Sequence, residues 1–147
     1  LGSKWAKIAE YWANSKAHPE AVAAFLSFDA TEQRHTAGTS HPDSWTDEYV
    51  HLSKPGQREI QADLLYDYRT NVAAYPKWQA WLRDHRPPTL VAWGANDPSF
   101  AAPGAEALKR DLPDAEIHLL DAGQFALDEK TDEIARLILD FMARQPR

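Results

Sequence analysis

Apolar positions recur at helical spacing through most of the first 86 residues. Ser3 is placed to cap a helix carrying Trp5, Ile8, Ala9 and Trp12, and His18-Pro19-Glu20 opens a second through Val22, Ala23, Phe25 and Leu26, with Pro19 in the first turn. The polar, breaker-rich stretch 37–44 reads as a loop. Beyond Pro55-Gly56, the positions Ile60, Leu64, Leu65, Tyr68 and Val72 mark one long amphipathic helix that Pro76 interrupts; Trp78, Trp81 and Leu82 mark a shorter one ending near His85. The pattern predicts an all-helical layer.

At Pro87-Pro88 the period changes. Residues 89–93 form a short apolar run bounded by proline and glycine, as expected of a parallel strand buried on both faces. Pro103-Gly104 then leads into a helix carrying Ala105, Leu108 and Leu112, which Pro113 ends, and residues 115–120 read as a second strand. Ile134, Leu137, Ile138 and Phe141 share one face of a closing helix. The order strand, helix, strand, helix is a βαβα unit with parallel strands and, by rule, a right-handed crossover. The expected organisation is a helical region, 1–86, followed by an α/β segment, 87–147.

Composition narrows the chemistry. A chain of 147 residues suits one soluble globular domain, and the absence of cysteine excludes disulfides and thiolate metal sites. No apolar run reaches membrane-spanning length and the N-terminus has no leader pattern, so the expectation is a cytoplasmic protein without membrane contact. Charge is uneven: residues 1–86 hold 10 basic against 11 acidic side chains, and residues 87–147 hold 6 against 11, so nearly all of the net −6 falls on the second part. An acidic surface repels phosphate backbones, which argues against nucleic acid as a partner. The chain starts at Leu1 with no strand before its first helix, the pattern of a piece of something longer.

Two loops carry the candidate chemistry. Asp97 stands in Trp93-Gly94-Ala95-Asn96-Asp97-Pro98-Ser99-Phe100, after the first strand, and Gln124 stands in Leu120-Asp121-Ala122-Gly123-Gln124-Phe125-Ala126-Leu127-Asp128, after the second. An aspartate in an Asn-Asp-Pro turn is by itself most often a carboxylate satisfying its own backbone. In these surroundings the two segments resemble the acid loop and the histidine loop of a cap-bearing α/β-hydrolase, of the haloalkane dehalogenase and epoxide hydrolase group. The likeness is strong over 87–147; the helical region 1–86 is similar to the cap that this group inserts before its last strands.

The resemblance implies a partial α/β-hydrolase fold and a nucleophile, an acid and a histidine in that order along the chain. It implies a small organic substrate (an epoxide, halide or ester), no cofactor and no metal. Asp97 takes the acid's place, which in the family orients and charge-stabilises an imidazole. Gln124 takes the histidine's place, and a carboxamide cannot accept and return a proton near neutral pH. No Gly-x-Ser-x-Gly elbow occurs in the chain. The isolated chain is therefore expected to be catalytically incompetent. The other reading is a non-catalytic remnant or a binding and interaction module.

None of the six histidines replaces residue 124 by pattern: His118 alternates with Glu116 and Leu120 on a strand, and His18, His35, His41, His51 and His85 fall at helix starts, loops or polar helix faces. No spacing among them suggests zinc. The tryptophans at 5, 12, 45, 78 and 81 read as inter-helix packing or, alternatively, as an apolar lid over a small substrate. Tyr66 and Tyr68 match, by resemblance, the phenolic donors that epoxide hydrolases carry on their caps. Two strands alone leave an exposed sheet edge, so self-association is also expected.

Overall fold

The computed structural model describes residues 3–15, 19–36 and 41–145, with the side chains of 3–5 and 36 not described. The Trp5 side chain, His18 and residues 37–40 of the expected loop lie outside the described set. The chain divides into two compact units, Leu1–Gln33 with His41–Pro76 and Arg34–Ser40 with Lys77–Arg147. Mixed helix with a small parallel sheet is compatible with a partial α/β fold.

The first unit is built from helices α1 (Ser3–Ala13), α2 (Pro19–Phe25), the start of α3 (Phe28–Thr36), α4 (Pro42–Leu52), α5 (Gln57–Asp67) and the start of α6 (Arg69–His85). Ile8, Tyr11 and Trp12 share a face of α1 at helical spacing. Tyr11 joins Val22, Leu26 and Leu52 in a buried cluster, against which Trp12, Ala62, Leu65 and Tyr66 pack. Two polar tips pin α1 to α5: the Tyr11 hydroxyl donates to the Ala62 carbonyl at 3.3 Å and the Trp12 indole to the Leu65 carbonyl at 2.8 Å. Burial, then repulsion from Asp63, pushes the Tyr11 phenol above its ordinary pKa.

Three helical expectations are corrected. Helix α3 arises where no separate helix is expected: Ser27 accepts from Ala30 N at 3.1 Å, an N-cap that outweighs the polar sequence following it. Positions 42–44 are helix, not loop. Pro42 occupies the first turn of α4, where its missing N–H costs nothing, and His41 Nδ1 accepts from Asp43 N at 3.4 Å. The long helix breaks at Tyr68 rather than at Pro76. The side chains of Arg69 and Thr70 bond the carbonyls of Tyr66 and Asp67 at 2.7 and 2.8 Å, ending α5, while Pro76 stays inside α6.

The second unit centres on strands β1 (Leu90–Gly94) and β2 (Glu116–Leu120), paired in parallel with Leu90 opposite Glu116 and Gly94 opposite Leu120. Between them run a single turn, α7 (Pro103–Glu106), and a 3-10 turn over Ala107–Arg110, shorter than the expected helix to Leu112. Leu112 is nevertheless buried, as are Ala105 and Ala115. After β2 come α8 (Ala126–Glu129) and α9 (Thr131–Ala143). Leu120, Ala122, Ala126 and Ile134 form the core, with Ala92 and Leu137 against it.

Burial of β1 on both faces is not observed: only Val91 and Gly94 are buried, because a sheet of two described strands has too few covering elements. On the expected inner face of α9, Ile134 is buried and Ile138 is exposed. Arg83, near the end of α6, donates to the buried Asp111 carboxylate at 2.5 Å, a charge-assisted bond that offsets the carboxylate's loss of water.

Candidate functional site

Parallel pairing aligns the carboxyl ends of β1 and β2, so the chain leaves both strands at the same end of the sheet. In open α/β sheets that end is where ligands bind. The loop after β1 and the loop after β2 run together there. Ala95 N donates to Leu120 O at 2.8 Å and Asn96 N to Ala122 O at 3.0 Å, and the Asn96 carboxamide donates to Asp121 Oδ1 at 2.9 Å. Gly94 is what permits the approach: a Cβ on it would lie 2.7 Å from Ala122 O and closer still to Gly123 O.

Asp97 and Gln124 ride on these joined loops, each three or four residues past its strand. The Asp97 Oδ1 accepts from Ser99 N at 2.7 Å and Phe100 N at 2.9 Å, so its carboxylate closes its own turn. The Trp93 indole adds a bond to Phe100 O at 2.7 Å, fixing the far side of that turn. Gln124 is half-buried, and its Oε1 is fully buried with no hydrogen-bond partner. The two loops are thus side by side, with no hydrogen bond between the Asp97 carboxylate and the Gln124 carboxamide. A buried amide oxygen without a donor costs ~1–3 kcal/mol, a cost that an arriving N–H or O–H group would relieve.

Two features of the Gln124 loop are not evident in the sequence. Glu129 turns back from α8, and both its carboxylate oxygens accept from Gly123 N, at 3.2 and 3.1 Å. Phe125 stacks flat on His35, with ring centroids 3.8 Å apart and planes within 9°. His35 is 5% exposed. Its expected place on a polar helix face is therefore corrected: the tail of α3 belongs to the second unit, and the imidazole covers the Phe125 ring. The Glu at the end of a short helix following Gly-Gln was the only local sign of the first feature, and nothing local signals the second.

Tyr66 and Tyr68 belong to the first unit. The Tyr66 ring carries the Arg69 guanidinium 3.7 Å from its centroid and meets Tyr11 edge-on. Tyr68 lies parallel to Trp12 at 6.1 Å and shares a 3.2 Å hydroxyl–hydroxyl bond with Tyr75. That bond, followed by burial, pushes the Tyr68 phenol up to about 12. His118 bonds Glu116 at 2.9 Å, and Arg144 bonds the other Glu116 oxygen at 2.5 Å. The His118 bond, then Arg144, holds Glu116 below the ordinary carboxylate range.

A pocket of about 350 Å³ lies at the opposite, amino-terminal end of the strands, lined by Arg86, Pro88, Thr89, Leu112, Glu116 and Phe141 among others. It is separate from the Asp97 and Gln124 loops. No group of three or more histidine and carboxylate side chains able to hold a metal occurs among the described residues, and none of the described helices is long and apolar enough to cross a membrane.

No family model and no solved structure matches the sequence. A curated protein of Saccharomyces cerevisiae named an uncharacterized hydrolase is 32% identical over 148 residues, an overlap of 95% of this chain and 51% of that protein. The chain is thus related to a hydrolase and spans about half of that relative's length.

Proposed function

We propose that the chain is the cap (1–86) and C-terminal segment (87–147) of an α/β-hydrolase that acts on a small epoxide, halide or ester through a nucleophile, a histidine and an acid. One observation carries the reading: two loops, hydrogen-bonded to each other at the carboxyl ends of adjacent parallel strands, bear Asp97 and residue 124. In this assignment Asp97 is the acid and position 124 the relay. The nucleophile is contributed from outside these 147 residues. The Gln124 amide can donate a hydrogen bond but cannot become a cation, so this chain by itself does not complete the relay.

A chimera in which the chain replaces the matching half of the yeast protein tests the proposal. With Gln124→His, a folded chimera is expected to hydrolyse model esters or epoxides; no turnover by this form would remove the catalytic reading. A second reading, a module that binds without turnover, is favoured by the unpartnered Gln124 oxygen. Saturable binding of a small hydrogen-bond donor by the Gln124 form, with an inactive Gln124→His chimera, is its signature.

A further inference from the structure

The pocket of about 350 Å³ at the amino-terminal end of β1 and β2 takes no part in the chemistry assigned to Asp97 and Gln124, and all of its lining belongs to the second unit. Pro88, Leu112 and Phe141 give it apolar walls, and Arg86, Arg144 and Asp114 give it charge. Its size falls within the ~300–1,000 Å³ of small-molecule clefts.

Arg86 stands in a conformation that its side chain opposes. It follows the last residue of α6 and its N–H donates to Leu82 O at 2.9 Å. With a φ of 43°, it is the one non-glycine residue in the left-handed region among the described residues. Glycine is the usual occupant of such a place at a helix end, because a Cβ there crowds the backbone. An arginine kept against that preference points to a use for its side chain. Within the fold the guanidinium makes one long bond, from Nε to Arg83 O at 3.4 Å, and both terminal nitrogens have no partner among the described residues. Arg144 reaches the same pocket and donates through Nη2 to Glu116 Oε2 at 2.5 Å. Glu116 bonds Arg144 with one oxygen and His118 with the other, so it does not occupy Arg86.

We propose that this pocket binds a small organic monocarboxylate, with its carboxylate on the Arg86 guanidinium and its apolar body against Leu112 and Phe141. The planar fork of a guanidinium matches a carboxylate with two parallel N–H···O bonds. Asp114, in the same lining, repels a second negative charge, so a single charge on an apolar body is favoured over a phosphate-like dianion. The site lies at the opposite end of the strands from the Asp97 and Gln124 loops and does not depend on the hydrolase reading.

Benzoate, a ring with one carboxylate, is the probe. Equilibrium dialysis against the 147-residue chain measures its affinity in any state of association, and amide shifts in nuclear magnetic resonance locate it. Saturable binding is expected, with shifts at Thr89, Leu112 and Glu116 and none at Asp97 or Gln124. Inorganic phosphate at equal ionic strength should bind more weakly. In Arg86→Gly, benzoate affinity is expected to fall about tenfold or more through loss of a charge-assisted bond. The urea midpoint of that variant should stay level or rise, because glycine accepts the left-handed backbone. Asp114→Asn removes the repulsion and should tighten benzoate roughly twofold or more.

No saturable binding, shifts confined to the Asp97 and Gln124 loops, undiminished affinity in Arg86→Gly, or phosphate binding as tightly as benzoate overturns the proposal. If Arg86→Gly lowers the urea midpoint or fails to fold, Asp114→Asn decides: tighter benzoate binding upholds the site and unchanged affinity overturns it. None of these outcomes bears on the hydrolase reading, which stands or falls with the chimera.

Discussion

Replacing Gly94 by alanine forces a methyl group into backbone that has nowhere to go. The new Cβ would sit 2.7 Å from Ala122 O and nearer still to Gly123 O. Neither oxygen belongs to a flexible side chain, so the two loops must separate. Separation breaks the bonds from Ala95 N to Leu120 O and from Asn96 N to Ala122 O, which measure 2.8 and 3.0 Å. Each is worth roughly 0.5–1.5 kcal/mol net, and overpacking of this kind adds about 1–3 kcal/mol. The expected loss is therefore about 2–6 kcal/mol, a large share of the ~5–15 kcal/mol that holds a typical domain together.

Urea unfolding of G94A followed by circular dichroism measures that loss, and amide exchange at Ala95 and Asn96 localises it. Gly104→Ala is the control: nothing lies within 4 Å of its Cβ, and alanine favours helix α7, so that variant should be neutral or gain up to ~1 kcal/mol. Native stability with protected Ala95 and Asn96 amides in G94A would refute the account of why the Asp97 and Gln124 loops lie together.

Two further outcomes follow from the same geometry. Leu119, Leu139 and Met142 are 42%, 68% and 62% exposed beside a sheet of two described strands, so the purified chain should bind a hydrophobic dye or self-associate despite its net charge of −6. A clean monomer with a sharp cooperative melt and no dye binding would contradict this. Tyr68 should titrate near 12 rather than 10 in the folded chain. Because its folded value is raised, the stability linked to its neutral form is present below pH 10 and lost as the pH rises from 10 towards 12. Tyr75→Phe removes the main cause, and the Tyr68 phenolate absorbance should then appear at lower pH; an unmoved titration would assign the shift to burial instead.

Local signals located much of the secondary structure. The apolar run after Pro87-Pro88 and the one after Pro113 became β1 and β2, and the spacing of Ile8 and Trp12 became the buried side of α1. Where competing signals were close in energy, the reading failed. Pro42 and Asp43 serve a helix start as well as a loop, so α4 was hidden in a breaker-rich stretch. Pro76 is tolerated within α6, whereas the side chains of Arg69 and Thr70 end α5 by bonding backbone carbonyls, a choice invisible to a pattern of apolar positions. The candidate site divided in the same way. Asp97 and Gln124 were found by motif, but the carboxylate's commitment to Ser99 and Phe100 and the stack of His35 on Phe125 were not.

Sequence alone determined which chemical groups are available: a carboxylate after one strand, an amide rather than an imidazole after the next, and no thiol anywhere. Those are covalent facts, independent of conformation. Only the tertiary structure decided which groups meet, because parallel pairing of β1 with β2 brings two loops 27 residues apart within hydrogen-bond distance. It also set a histidine from α3 against the second of those loops. Contacts of that kind depend on summed packing across the chain, and no short window of residues encodes them.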